Sequence, residues 1–335
     1  MPRVSVIIPA YNEERYIAAC LDSFVASDYP KAQLELFVVD GMSTDRTGEI
    51  VAGYAATYSW ISLLENRDRT APYAMNLGIG RASGDFIVRA DAHSSYPADY
   101  LSKLIHWSQK LDADNVGGLW QTDVLHATAK SMAIKNVLRD RFGVGNALFR
   151  TGVRSVQEVD TVPFGCFKKE VFDRYGLYDT RLTRNQDIEL NKRIKRGGGR
   201  IFLVPDIRCT YYARETFMAL AKNNFANGKW NLLTADLTGT FGSLSVRHFV
   251  PLVFVLVLLL PLLFSPLLPQ ALYLSVTVLL LYTGIVLLRA WQIKYNTTLL
   301  YQCAAFFVLH FSYGLGELAG TCSVLKTRLK RLMTL

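Results

Sequence analysis

Val4-Ser5-Val6-Ile7-Ile8-Pro9-Ala10-Tyr11-Asn12-Glu13-Glu14-Arg15 decides the fold. Its first five residues suit a strand buried on both faces, Pro9 ends the run, and Asn12-Glu13-Glu14 opens a segment with Ile17, Cys20, Leu21 and Phe24 at helical spacing. Strand then helix recurs. Leu34–Val39 precedes a helix from about Asp45 to Tyr58, Ile61–Leu64 one from about Thr70 to Arg81, and Asp85–Arg89 one from about Pro97. Such alternation predicts an α/β fold on a mostly parallel sheet, whose ligands gather at the carboxyl ends of the strands. The polar residues placed there are Tyr11-Asn12-Glu13, Asp40, Asn66-Arg67 and Asp91-Ala92-His93.

Farther along come Val159–Gly165, a short helix near Lys168–Tyr175, and a helix Ile188–Arg196 that Asn185-Gln186-Asp187 opens and Gly197–Gly199 stops. Glu215 to Trp230 reads as a helix with Phe217, Leu220, Ala221 and Phe225 on one side, a candidate for lying against a bilayer.

Charge divides the chain in two. Of 37 Lys and Arg and 28 Asp and Glu, only seven lie between Phe249 and Leu335, and none between Phe249 and Leu288. Roughly 20 apolar residues cross a bilayer, so spans are expected at 249–268 and 271–288. A third apolar stretch, Leu299 to Val324, contains His310 and Glu317, which leaves two readings: three spans, or a two-span hairpin with a re-entrant or interfacial segment. The net charge of +9 splits as +4 before Phe249 and +5 after it. Basic residues beside apolar spans fit lipid and positive-inside retention, and no nucleic-acid partner is expected. Cys20, Cys166, Cys209, Cys303 and Cys322 lie singly, which points to no disulfide framework or structural zinc. The run Val4–Ile8 is too short for a signal segment, so the first domain is expected in the cytoplasm.

Several polar residues carry two readings each. Asp45 reads as an N-cap, whereas Asp40, just past a buried strand, could accept hydrogen bonds from a nucleotide base or ribose. Asp91 and His93 are either a turn aspartate with an incidental histidine or two ligands for a divalent ion. Asp187 either caps its helix or serves as a general base. Tyr212, Arg214, Lys229 and Trp230 suit phosphate and sugar contacts, but equally suit anchors at a membrane surface.

In this order, Pro9-Ala10-Tyr11-Asn12-Glu13, Asp40-Gly41-x-Ser43-Thr44-Asp45, Ala74-x-Asn76-x-Gly78, Asp91-Ala92-His93 and Asn185-Gln186-Asp187 resemble the family 2 glycosyltransferases. Val159–Phe167, Arg184–Asn191 and Gly228-Lys229-Trp230 resemble further the membrane-bound exopolysaccharide branch that includes the succinoglycan glucosyltransferases. The resemblance implies a GT-A fold, a nucleotide-diphosphate sugar donor, Mg2+ or Mn2+, and inversion at the anomeric carbon. Carried onto this sequence, it places Pro9, Tyr11, Glu13, Asp40, Asn76, Asp91 and Lys229 on the donor side, and Phe164, Gly165, Gln186 and Trp230 by the acceptor. Asp91 and His93 stand at the metal motif, and Asp187 is the base.

Three departures bear on this. His93 replaces the usual closing aspartate, Gln186 replaces a common glutamate, and Ala226 stands where processive synthases carry Gln or Arg, which argues against a polymerising enzyme. The expected organisation is a cytoplasmic catalytic domain at 1–210, juxtamembrane helices at 211–247, two to three spans at 248–325 and a basic tail at 326–335. The expected activity is β-transfer of a hexose, glucose by resemblance from UDP-glucose, to a lipid-linked oligosaccharide at the inner membrane. Transfer to polyprenyl phosphate and a silent sugar-nucleotide binding module are the alternatives.

Overall fold

The structure is a computed structural model that describes residues 1–240 and 246–333; part of the expected juxtamembrane segment (241–245) and the end of the tail (334–335) lie outside them. The chain divides into two compact units, Met1–Gln121 with Leu148–Tyr212, and Thr122–Ala147 with Ala213–Leu335.

In chain order the elements begin with β1 (Val4–Ala10), α1 (Ile17–Val25), β2 (Leu34–Asp40), α2 (Thr47–Thr57), β3 (Ile61–Glu65) and α3 (Ala71–Arg81). Next come β4 (Phe86–Arg89), β5 (Ser94–Ser95), α4 (Tyr100–Leu111) and β6 (Asn115–Asp123). Helices α5 (Ala129–Arg139) and α6 (Arg141–Val144) belong to the second unit. The first unit resumes with α7 (Leu148–Thr151), β7 (Gln157–Glu158), β8 (Cys166–Lys168), α8 (Glu170–Tyr175), α9 (Gln186–Arg196) and β9 (Ile201–Tyr212). Helices α10 (Phe217–Thr238), α11 (Val250–Phe264), α12 (Gln270–Ile293) and α13 (Leu299–Met333) complete the second.

The sheet runs β3-β2-β1-β4-β8-β6-β9-β5, with β7 on β9. Strands β3, β2, β1 and β4 are parallel, the block expected from the strand–helix alternation, while β8 returns antiparallel on β4 and on β6. Strand β1 reads as a nearly continuous apolar run, broken by the buried Ser5, because both its faces are covered. Val4, Val6 and Ile8 share a core with Ile17, Cys20, Leu21 and Phe24 of α1, whereas Ile7 packs on the other side with Met75 and Ile79 of α3. Each fully buried side chain of this size contributes about 1.5–3 kcal/mol. The stretch Val159–Gly165 forms no strand; β7 and β8 flank it.

In the second unit α10 continues well past Trp230, and small and amide residues make up most of its buried stripe. Leu220 is buried, Phe225, on the side expected to lie against a bilayer, is exposed, and the inner face is Asn224, Gly228, Asn231, Thr234 and Ala235. The cause is α13. A Cβ on Gly228 would stand 2.1 Å from the Tyr313 carbonyl oxygen, and one on Gly316 2.1 Å from that of Phe225, so the two backbones touch. Asn231 Nδ2 donates to Glu317 Oε1 at 3.1 Å and to the Tyr313 hydroxyl at 2.9 Å.

Helices α12 (24 residues) and α13 (35 residues) are long and apolar enough to cross a membrane. The expected span at 249–268 is shorter: α11 has 15 residues with Pro261 inside it, about 22 Å against a hydrocarbon core of about 30 Å. The stretch that looked least regular, with His310 and Glu317, belongs to the longest helix.

Candidate active site

The carboxyl ends of β1, β2 and β3 frame a cleft of about 140 Å³, lined among others by Pro9, Tyr11, Glu13, Asn66, Arg69 and Thr70. The loop after β1 is stitched to the loop after β2. Asn12 N–H donates to Ser43 Oγ at 2.9 Å, Thr44 N–H to Asn12 Oδ1 at 2.8 Å, and Glu13 N–H to Thr47 Oγ1 at 2.8 Å. Asp45 accepts from Thr47 N–H at 3.0 Å and Glu14 N–H at 3.2 Å, so it fastens the turn, although the N-cap of α2 is Arg46, one residue later than its capping reading expects. Asp40 accepts from the Ser43 N–H at 3.1 Å. It stands one residue before Gly41, which lines the cleft.

Among the described residues seven non-glycine positions have positive φ, and five of them adjoin the predicted site: Asn12, Met42, Arg69, Phe164 and Asn185. A left-handed backbone costs an L-residue roughly 1–2 kcal/mol, and strain of this kind concentrates where a structure must aim side chains rather than pack them.

Beyond β4, Asp91 and His93 face each other, with Asp91 Oδ1 2.8 Å and Glu13 Oε1 3.2 Å from His93 Nδ1. Burial works against charge on the His93 ring, but Asp91, Tyr211 and Glu13 outweigh it and hold the pKa well above the ordinary histidine value. Burial likewise raises the Asp91 carboxyl, and His93 with Arg89 turns the balance so that it is lowered. The ring of Tyr211 lies 5.2 Å from that of His93 and stacks on Trp120 at 4.3 Å, with the Arg150 guanidinium 4.5 Å from the Trp120 ring.

Whether a divalent cation suits this place depends on the donor set. Asp91 Oδ1 and His93 Nδ1 have the spacing of neighbouring ligands on a small octahedral ion with ligand distances of about 2.1 Å. Among the described residues no group of three or more His, Cys, Asp or Glu forms a cage. One or two carboxylates, with phosphate oxygens and water in the other positions, is the ordinary arrangement for Mg2+ at phosphate-bearing substrates, and here Asp91 supplies a carboxylate and His93 a softer nitrogen beside it. The residues therefore fit, provided His93 gives up its proton to bind.

Asp187 lies in the first turn of α9, its Oδ1 accepting the Ile188 N–H at 2.9 Å and its Oδ2 3.6 Å from Arg89 Nη1 at the end of β4. Its side chain keeps 34% exposure. Thus the structure brings Asp187, Arg89 and the segment Asp91–His93 to the carboxyl end of β4, beside the Pro9–Tyr11–Glu13 cleft. Gln186 is buried, with Oε1 lacking a hydrogen-bond partner among the described residues.

Other predicted residues sit differently. Asn76 donates to Tyr178 O at 2.9 Å and accepts from Tyr178 N–H at 3.0 Å, so its amide pins α3 to the loop after α8 instead of lining the cleft. The Phe164 ring is buried with its centroid 4.9 Å from that of Trp120, so this segment meets the site through its backbone rather than its side chain. Gly165 needs φ +86, and a Cβ there would come within 2.6 Å of Asn115 Oδ1. Lys229 and Trp230 lie on α10 of the second unit.

Sequence reasoning passed over Arg69, Thr70 and Arg89. Arg89 left a trace: a charge ending the buried run Phe86-Ile87-Val88, on the same strand face as Asp91. Arg69 and Thr70 are placed by the turn after β3, which no periodicity announces.

The family model described as glycosyl transferase family 2 matches residues 5–176. The chain is 27% identical over 244 residues to a dolichyl N-acetyl-alpha-D-glucosaminyl phosphate 3-beta-D-2,3-diacetamido-2,3-dideoxy-beta-D-glucuronosyltransferase of Methanococcus voltae, covering 67% of this chain and 71% of that protein. It is 28% identical over 226 residues to the succinoglycan biosynthesis protein ExoA of Rhizobium meliloti, covering 67% of each. Among solved structures it is similar to a mannosyltransferase from Pyrobaculum calidifontis in complex with GDP-Man and Mn2+. That likeness has a TM-score of 0.57 at 19% identity, covers 97% of this chain and 87% of that one, and concerns the fold.

Proposed function

Since the chain belongs to glycosyl transferase family 2, we propose that it is an inverting hexosyltransferase that moves a sugar from a nucleotide diphosphate to a hydroxyl of a lipid-linked oligosaccharide. What supports the reading most is the gathering, within one unit, of the Pro9–Tyr11–Glu13 cleft, the Asp91–His93 pair and the partly exposed Asp187 carboxylate. The nucleotide lies in the cleft, with Asn66, Arg69 and Thr70 added to the expected contacts. Asp40 reaches the base or ribose through its position at the cleft rim, and Asn76 acts behind it as a brace. Asp91 and His93 would hold Mg2+ or Mn2+, which when bound neutralises the departing diphosphate.

Asp187 takes the proton of the acceptor hydroxyl as that oxygen attacks the α-linked donor from the opposite face. A nucleoside diphosphate leaves readily, so one positioned carboxylate suffices and the product bond is β. The backbone at Phe164–Gly165 and the Gln186 amide border the acceptor.

Membrane attachment through α12 and α13 fits an acceptor carried on lipid at the cytoplasmic face of the inner membrane. The similar Methanococcus voltae protein is named for transfer to a dolichyl-linked sugar phosphate, which favours a sugar hydroxyl over a bare polyprenyl phosphate as acceptor. Glucose is the sugar we expect, after the succinoglycan relative.

The test is release of nucleoside diphosphate from a panel of sugar nucleotides by purified protein in detergent, with Mg2+ or Mn2+ against chelator, and with or without membrane lipid extract. Consumption of one donor only with metal and lipid extract supports the proposal. A labelled lipid carrying a single sugar on phosphate would favour polyprenyl phosphate instead, and donor binding without any turnover would favour a silent module.

A further inference from the structure

We infer that Arg89 is a positioning residue: it holds the Asp187 carboxylate in the orientation that receives the acceptor proton. The inference rests on the proposed role of Asp187 as base. Arg89 ends β4 with its side chain largely buried, and three lines converge on it. Its backbone N–H donates to Gly165 O at 3.0 Å, fastening it to the turn beside the acceptor. Its Nη1 stands 3.6 Å from Asp187 Oδ2. Two residues on is Asp91, whose charge also acts on the guanidinium, as does the Tyr178 hydroxyl.

The geometry suits steering better than locking. Asp187 Oδ1 is anchored by the Ile188 N–H, and a second anchor on Oδ2 fixes both side-chain torsions. At 3.6 Å the guanidinium lies within ion-pair range but beyond hydrogen-bond length, so it attracts Oδ2 without using up its lone pairs. An acceptor O–H can still reach that oxygen. Among the described residues no well-formed hydrogen bond closes on Arg89 Nε or Nη1, with the Tyr178 hydroxyl the other polar group acting on the guanidinium. Retaining such donors unmade is costly, and a pair meant only for stability would close the distance.

The test compares Arg89→Met and Arg89→Lys with Asp187→Asn and with the Asp187→Asn/Arg89→Met double variant, all in the full chain in detergent. Nucleoside diphosphate release gives kcat, and calorimetric titration gives affinity for the sugar nucleotide that the unaltered protein consumes. Misplacing a catalytic group by about 1 Å can cost about 10²-fold. We expect Arg89→Met to lower kcat by about that factor with donor affinity within about threefold, and Arg89→Lys to recover about tenfold of it. In the double variant Arg89→Met should add nothing to the loss from Asp187→Asn, because it acts through that carboxylate.

Near-normal kcat in Arg89→Met, a loss matched by weaker donor binding, or losses that multiply in the double variant would each overturn the inference. If Arg89→Met does not fold, Arg89→Lys decides. A kcat lowered at least threefold with donor affinity kept supports the inference, and unchanged kcat overturns it. Normal turnover in Asp187→Asn would remove the base itself, an outcome seen in that variant whatever Arg89 does.

Discussion

Asp187 and Glu317 are both helix carboxylates enclosed by polar neighbours, yet they are held in opposite ways. Asp187, in the sheet-bearing unit, keeps a third of its side chain exposed and faces a buried guanidinium at ion-pair distance. Glu317, in the helical unit, is wholly buried and accepts a hydrogen bond from the neutral amide of Asn231. A carboxylate that must exchange a proton with substrate needs access and a charge to orient it. One that joins two helices needs only a donor in reach. On the proposed function, the difference separates chemistry from assembly in a single chain.

Changing each acid to its amide sharpens the contrast. Asp187→Asn should lower turnover by about 10²–10⁴-fold, the ordinary contribution of a general base, while donor affinity by titration stays near that of the unaltered protein. The next largest effect belongs to the helical unit: Gly316→Ala drives a Cβ into the Phe225 carbonyl and should cost about 1–3 kcal/mol, read as a lower Tm. Asn76→Ala removes two hydrogen bonds to the Tyr178 backbone and should cost about 1–2 kcal/mol in stability while leaving donor affinity unchanged, which separates a brace from a ligand contact. Glu317→Gln should do least, with turnover unchanged and stability within about 1 kcal/mol, because the new amide oxygen still accepts from Asn231. Comparable loss of turnover at positions 187 and 317 would erase the distinction.

What the sequence made legible follows the same divide. Strands β1 to β4 and helices α1 to α4 could be read because each has one dominant periodicity and a turn of fixed chemistry, and the polar residues just past β1 and β4 were singled out by position alone. Arg89 escaped because a charge at a strand end reads as solvated until the fold shows Asp187, some hundred residues later, folded over it. The protein-facing side of α10 went unread for a related reason. A search for apolar spacing picks Phe217, Leu220, Ala221 and Phe225, whereas a close helix contact selects small and amide residues, Asn224, Gly228 and Asn231, whose value depends on the glycines and Glu317 of α13. Likewise Pro261 and the Pro266 and Pro269 that follow α11 mark why that apolar stretch forms a short helix, which composition by itself conceals.

The central claim is a single displacement assisted by one carboxylate, and the anomeric configuration of the transferred sugar tests it most directly. With an α-linked sugar nucleotide and the isolated lipid acceptor, proton NMR of the released oligosaccharide should show the large anomeric coupling of a β-glucoside. An α-linked product would mean retention, which a lone base at Asp187 cannot deliver, and would contradict the account.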